Sequence, residues 1–333
     1  MIKLWFWTKH LLRKNVLACI LFSVLLIQPA FSEEYRSWTG EFMRMGAGAR
    51  AMGMGNAYTA VEGDVYSSYF NPAALATIDE RQLAISFRYL SMDRHFKHVV
   101  IGSKVGIDAG FALSWINAGT DDIVGRDLSG NPIGSINDSR NAFSVSFAKQ
   151  LTKMISVGLN AKVALWKLGG EDAKAFGFDL GIITHPIEHF SLAFVARDVN
   201  SRFTWTSTRW KSTIGDIDGQ PIEKEDKFPL YYTAGVSYKM LGDKLLLAST
   251  LEFIEDNPYG VNLGVSYEFN DTFTCRSGIY NYTSSDELDS GSYTAGFTVR
   301  VTPSISADYA YGTDGIDNDN IHCISLIMNY GAE

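Results

Sequence analysis

The feature that most constrains this chain is a period-two alternation of apolar and polar residues, sustained over segments about ten residues long. In the run from Tyr259 to Phe269, the residues Tyr259, Val261, Leu263, Val265, Tyr267 and Phe269 share one side. Gly260, Asn262, Gly264, Ser266 and Glu268 take the other. Phe143, Val145 and Phe147 likewise alternate with Ser144 and Ser146, and Val157, Leu159, Ala161, Val163 and Leu165 with Ser156, Gly158, Asn160 and Lys162. Phe176, Phe178, Leu180 and Ile182 oppose Gly177, Asp179 and Gly181, while Tyr293, Ala295, Phe297, Val299 and Val301 oppose Thr294, Gly296, Thr298 and Arg300. Successive side chains of a strand point to opposite faces, so these segments predict strands.

Alternation alone does not say which face meets which solvent, since a half-buried soluble sheet alternates too. Length and aromatic placement decide it. A tilted strand needs about 9–11 residues to cross hydrocarbon, whereas soluble strands run nearer five or six. Aromatic residues gather at segment ends, at Tyr89, Trp115, Trp166, Tyr231, Tyr232, Tyr267, Tyr280, Tyr282, Tyr309, Tyr311 and Tyr330, where a membrane interface favours amphipathic rings. No window after residue 33 holds 18 consecutive apolar residues, which excludes a helical membrane bundle.

Fourteen such segments follow: 82–90, 96–105, 107–117, 141–150, 153–168, 174–184, 188–198, 229–240, 243–255, 259–269, 272–282, 291–301, 303–312 and 320–330. The connections alternate between tight turns of up to three residues and longer loops, among them 118–140 and 199–228. Short turns on the periplasmic side and long loops outside are the pattern of an outer-membrane barrel. Hydrocarbon offers no water to amide groups, so such a sheet must pair its last strand with its first. The predicted fold is all-β, a 14-stranded antiparallel transmembrane β-barrel.

The first 32 residues have the three parts of a secretory signal. Lys3, Lys9, Arg13 and Lys14 precede an apolar run from Val16 to Ile27, and Ala30-Phe31-Ser32 makes a small-x-small cleavage site before Glu33. An uncleaved anchor is the alternative, but the apolar run is shorter than the ~20 residues of a spanning helix. Cys19, at the start of that run, argues against a lipid-modified N-terminus. Cleavage removes four of 29 basic residues and none of 37 acidic ones, leaving a formal charge of −12. Nucleic acid is therefore not an expected partner, because phosphate binding needs a surplus of Lys and Arg. Only Cys275 and Cys323 remain, too few for a disulfide framework; they could form one bridge or stay as two half-buried thiols.

The stretch Gly46-Ala-Gly-Ala-Arg-Ala-Met-Gly-Met-Gly55 imitates a dinucleotide fingerprint, but Glu41–Met45 is a poor strand and no parallel βαβ unit follows. The plainer alternative is that its glycines allow close packing or positive φ angles. The run from Gly40 to Ala76 resembles the N-terminal signature of PorV/PorQ-type outer-membrane proteins, relatives of the long-chain fatty-acid transporters of the FadL type. The resemblance rests on Gly48-Ala49-Arg50, Gly53-Met54-Gly55, Ala57-Tyr58-Thr59-Ala60 and Phe70-Asn71-Pro72-Ala73-Ala74-Leu75. It implies a fourteen-stranded barrel with an N-terminal hatch folded inside, and so a division into a signal at 1–32, a hatch at 33–80 and a barrel at 81–333. An empty barrel of this size would be a wide aqueous hole, which a plug of this length would fill. Two features depart from what the resemblance implies: the chain ends Tyr330-Gly-Ala-Glu333 rather than on an aromatic residue, and the outer segments are short for a fatty-acid transporter.

Within the hatch, Gly46, Ala47, Gly48, Ala49 and Ala51 are small enough to pack against the inner wall. Asn71-Pro72 reads as a turn, with the Asn side chain bonding its own backbone. Phe70, Asn71, Pro72, Ala73 and Leu75 then form either a gate in the lumen or a structural turn. His95 and His98 would point to opposite faces of a strand, which disfavours a metal pair, and His185 and His189 flank a periplasmic turn as solvated groups. No nucleophile elbow, P-loop, zinc motif or C-x-x-C is present, so no enzyme activity, cofactor or metal is expected. Asp216 with Asp218, or Asp314, Asp317 and Asp319, could gather calcium but lack EF-hand order. Phe203, Trp205 and Trp210 fall in the longest loop and mark either a partner contact or a loop core.

Two functions follow for a protein of the outer membrane of a Gram-negative-type, diderm bacterium. The resemblance implies docking or shuttling of secreted and surface proteins, as in type IX secretion, with secretion machinery or exported cargo as partners. The alternative is FadL-like passage of a hydrophobic ligand. The short outer loops and the signature favour docking; a third option is a structural barrel with no transport. Inward positions read as mostly Ser, Thr, Gly, Asn and charged residues, which favours a sealed barrel, whereas a continuous apolar lining from surface to hatch would favour passage.

Overall fold

A computed structural model of the protein describes residues 39–207, 222–255, 260–285, 288–313 and 320–331. Seven strands follow the hatch without interruption by helix: β1 (Arg81–Tyr89), β2 (Arg94–Val105), β3 (Ala109–Arg126), β4 (Pro132–Thr152), β5 (Ile155–Leu168), β6 (Glu171–Ile187) and β7 (Phe190–Ser207). Eight more are β8 (Ile222–Lys227), β9 (Tyr231–Met240), β10 (Leu245–Ile254), β11 (Gly260–Asn270), β12 (Phe273–Ser285), β13 (Leu288–Thr302), β14 (Ile305–Thr313) and β15 (Asn320–Tyr330). Each pairs antiparallel with its neighbour, and β1 pairs with β15 from Arg81↔Tyr330 to Tyr89↔His322, which closes the sheet. Because β7 continues into β9 along the wall while β8 pairs only with the outer part of β7, the closed barrel has fourteen strands. No helix among the described residues is long and apolar enough to cross a membrane.

The alternation sets the two faces as expected. Phe143, Val145 and Phe147 are exposed toward the bilayer, while Ser146 between them is buried in the lumen. The same holds for Phe176, Phe178, Leu180 and Ile182 against Asp179. Val261 is buried although it shares the strand's apolar side, beside a register shift between β11 and β12.

Two long loops are not loops. Residues 118–140 are largely β-hairpin, since β3 and β4 stay paired out to Arg126↔Pro132, and 199–228 begins and ends as the β7–β8 hairpin. At 18 and 21 residues, β3 and β4 far exceed the about ten that hydrocarbon requires, so their tips stand beyond the bilayer on the long-loop side.

Residues 39–80 run down the lumen from the long-loop end to the short-turn end. They form only short turns of helix: a 3-10 turn at Glu41–Arg44, α-turns at Ala49–Gly53 and Ser67–Phe70, and a 3-10 turn at Pro72–Thr77. Gly40 lies against Phe228 at the outer end, and residues 78–80 lead into β1 at the periplasmic end. The inner wall is polar in the middle, at Ser146, Asn160, Asp179, Thr250, Asn262, Thr298 and Asp308, all buried under this hatch. At the outer end the expectation of a polar lumen fails. There Phe96, Ile116, Ala118, Ala142, Ala164, Ala173, Ala175 and Phe203 turn inward and form an apolar cluster with Phe228.

Candidate functional site

The hatch is fastened to the wall at three levels, and the sequence signatures form two of them. The first centres on Arg50. Its Nε donates to Asp308 Oδ1 at 2.9 Å and its Nη2 to Ser306 Oγ at 2.7 Å, both on β14. Nη1 lies 3.5 Å from Asp64 Oδ2 within the hatch, and Asp64 also accepts the Tyr58 hydroxyl at 2.7 Å. Around this pair the small residues of the signature allow backbone contact with the wall. Ala49 N donates to Ser325 Oγ at 2.7 Å and Gly55 N to Thr294 Oγ1 at 3.0 Å, and Gly53 lies against Gly296. Gly55 has φ +60°, and a Cβ there would sit 2.4 Å from the Ile279 carbonyl oxygen, so the position requires glycine. Gly48 has φ +84° beneath the Tyr66 ring, and Met54 is buried.

Asn71 forms the second fastening. Its Oδ1 accepts from Ala73 N at 3.0 Å, capping the Pro72–Thr77 turn as the sequence predicts. Its Nδ2 reaches out to Thr59 O at 3.1 Å and to Ile182 O on β6 at 3.3 Å. This close seat exists because wall positions 158 and 181 are glycines: a Cβ at Gly181 would lie 2.0 Å from Asn71 Oδ1, and one at Gly158 2.3 Å from Ala73 N. Phe70 is buried against Tyr58 and Tyr69, with ring centroids 5.4 and 4.9 Å away, and its carbonyl accepts from Arg197 Nη2 at 2.6 Å. Ala73 and Leu75 have no exposure. The Phe70–Leu75 segment is thus a buried structural turn.

The third fastening carries no signature. Arg44 Nη2 lies 3.0 Å from Asp198 Oδ2, and Lys162 Nζ bridges Asp198 to Asp179 at 2.7 Å. Above it Phe42 and Met43 insert into the apolar cluster at the outer end, packed with Phe96, Phe203 and Phe228. Lys162 and Asp179 were legible as inward polar positions of β5 and β6; Arg44, Asp198, Phe42 and Met43 were not, because their partners are set by tertiary register alone. A cavity of about 20 Å³, room for a single water, remains beside Met43, Tyr69, Lys162 and Arg197.

Two expectations need correction. Phe203 and Trp205 are strand residues of β7 rather than exposed loop aromatics: Phe203 is fully buried 5.1 Å from Phe228, and the Trp205 ring packs tilted against Trp166 at 4.9 Å. They form a core at the barrel mouth, the second of the two alternatives, in strand and not in loop, while Trp210 lies outside the described residues. His185 is not simply solvated, since its Nε2 meets Glu62 Oε2 of the hatch at 2.6 Å, and His189 pairs with Asp243 at 2.8 Å. His95 and His98 do face opposite ways, and no group of three metal-ligating side chains occurs among the described residues. The acidic runs at 216–218 and 314–319 lie outside them.

No protein-family model matches this sequence, and no curated protein does. Solved structures do match. The Pseudomonas putida toluene transporter TodX is similar over 91% of this chain and 100% of its own, at 12% identity and a TM-score of 0.62. The two share the fold of a fourteen-stranded closed barrel. A Pseudomonas aeruginosa FadL homologue matches over the same 91% of this chain and 100% of its own at 14% identity and a TM-score of 0.57, and a TodX monoaromatic hydrocarbon channel lacking S2 matches over 86% and 99% at 11% and 0.61.

Proposed function

We propose that this chain is an outer-membrane barrel, exported by a signal at residues 1–32, that passes small hydrophobic molecules across the membrane with residues 39–80 as its closure. The observation that carries this reading is the apolar vestibule at the outer end of an otherwise polar lumen. It is lined by Phe96, Ile116, Phe203 and Phe228 and filled by Phe42 and Met43 of the hatch. Two apolar side chains of the chain itself occupy the place a hydrophobic passenger would take at the outer end. The solved structures of this fold include a toluene transporter and a monoaromatic hydrocarbon channel, which agrees with that class of passenger. Uptake of a radiolabelled monoaromatic hydrocarbon by intact cells tests it: deletion of the gene is expected to slow uptake, and unchanged uptake in the deletion strain contradicts it.

A second reading, docking of secreted or surface proteins, draws on the resemblance of Gly48–Gly55, Ala57–Ala60 and Phe70–Leu75 to the PorV/PorQ signature. The β3–β4 and β7–β8 hairpins that stand beyond the bilayer would be its contact surface. Co-purification from solubilised envelope separates the two: a secretion channel or exported cargo favours docking, and a bound apolar compound favours passage.

A further inference from the structure

At the periplasmic mouth, beneath the hatch, lies a basin of about 340 Å³. That is space for on the order of ten waters. Five basic side chains line it, Arg50, Lys239, Lys244, Arg276 and Arg300, against two carboxylates, Asp243 and Glu268. Asp243 is already held by His189. Among the described residues, Arg50 is the one of the five within ion-pair distance of a carboxylate, through Asp308 and Asp64. The imbalance is marked in a chain with 37 acidic and 29 basic residues, where chance would favour the opposite sign.

Arg276 is the informative member. It stands on β12 beneath the hatch turn, with its Cβ 3.4 Å from where a side chain at Gly53 would begin. Its one described hydrogen bond runs from Nη1 to Thr298 Oγ1 at 2.5 Å. Thr298 in turn donates its hydroxyl proton to Asp308, the carboxylate that holds Arg50. Two guanidiniums therefore converge on one Thr–Asp node, and the proton order of that node leaves Arg276 as a donor with four of its five N–H groups directed to no protein acceptor. Asp308 and Asp64 act on Arg276 electrostatically but neither is within ion-pair distance of it, and a concave surface with a surplus of one sign focuses its field on what enters.

We propose that this basin binds a compact oxyanion, a phosphate or carboxylate group of a soluble periplasmic solute, with Arg276 as its principal ligand and Arg300 and Lys239 at its rim. Planar guanidinium donors match the paired oxygens of both groups. The basin opens inside the ring formed by strands β9 to β15 and not on its outer face, which favours a soluble solute over a lipid headgroup. The site is independent of the outer vestibule and stands whichever solute crosses the lumen.

Isothermal titration of the full-length protein in nonionic detergent, at constant ionic strength, tests this with inorganic phosphate in one arm and acetate in the other. Saturable one-to-one binding of either is expected; phosphate alone assigns a phosphate group, and both together a site that accepts carboxylates too. Arg276→Gln is expected to weaken binding on the order of tenfold or more, the loss that follows removal of a charge-assisted hydrogen-bonding group. Lys153→Gln, in the distant β4–β5 turn, is expected to leave it unchanged. Should Arg276→Gln not fold into a heat-modifiable barrel, Arg300→Gln is expected to weaken binding in the same direction. Absence of saturable binding in both arms, or affinity unchanged by the folded basin variant, overturns the proposal.

Discussion

Arg50 keeps its charge inside the lumen because its neighbours compensate for the loss of water. Burial alone lowers the pKa of its guanidinium, but the carboxylates of Asp308 and Asp64 outweigh that pull and raise it overall. Burial, then the nearby Asp64 charge, pushes the Tyr58 phenol well above its ordinary value, so Tyr58 remains a donor to Asp64. Breaking such a pair from one side leaves a buried charge unmatched, which costs about 3–5 kcal/mol. Asp308→Asn is thus expected to loosen the hatch, seen as faster limited proteolysis within residues 39–80 while the barrel stays heat-modifiable. Gly181→Ala is expected to act at the other fastening by forcing Asn71 out of its seat, at about 1–3 kcal/mol of overpacking. The same proteolysis reports it, and protection equal to the unsubstituted protein would contradict the seat described here. Such residues were partly legible in sequence. The Gly-Ala-Arg and Asn-Pro runs stood out by composition, whereas Asp308 and Gly181 look like any inward polar or small position until register places them under Arg50 and Asn71.

Among the elements, the membrane-spanning parts of the strands were readable and their extensions were not. Where lipid covers one face and the lumen the other, side chains must alternate, and Phe176 to Ile182 do. Beyond the bilayer both faces of the β3–β4 hairpin meet water. Thr120 to Asp138 therefore carries Asp121, Asp122, Arg126, Asp127, Asn131 and Asn137 with no two-fold pattern, and reads as loop although its amides pair. Asp127 instead shows turn chemistry, its carboxylate accepting from the amides of Ser129 and Asn131. The lipid face makes a direct prediction. Phe178→Arg near the middle of β6 is expected to destabilise the folded barrel by about 2–4 kcal/mol in a bilayer, the cost of a cation at midplane. Reversible unfolding in vesicles measures it, and a shift near zero would mean that this face does not meet hydrocarbon. Because β8 pairs only with β7, shortening that hairpin to the end of the β7–β9 pairing is expected to leave barrel circular dichroism intact.

For the molecule as a whole, closure at β1–β15 and the filled lumen are two solutions to one constraint. A sheet in lipid cannot keep an edge, and a fourteen-stranded ring leaves space that must be filled or become a hole. The ring was legible from period and length, and the existence of a hatch from the resemblance of its signature. Its direction was not legible, since nothing in residues 39–45 announces that the chain begins at the outer end, seats Phe42 and Met43 among apolar wall residues, and descends to β1. On the proposed function, the outer seat is the part of the closure that a hydrophobic solute would displace. Truncating Phe42 removes at least the 1.4 kcal/mol of burial that changes an equilibrium tenfold. The most direct measurement is therefore the rate at which a monoaromatic hydrocarbon enters proteoliposomes holding the unsubstituted protein or the Phe42→Ala/Met43→Ala variant. Entry on the order of tenfold faster through the variant, with sucrose still excluded, is the expected result; equal rates through both would show that this seat does not close the path.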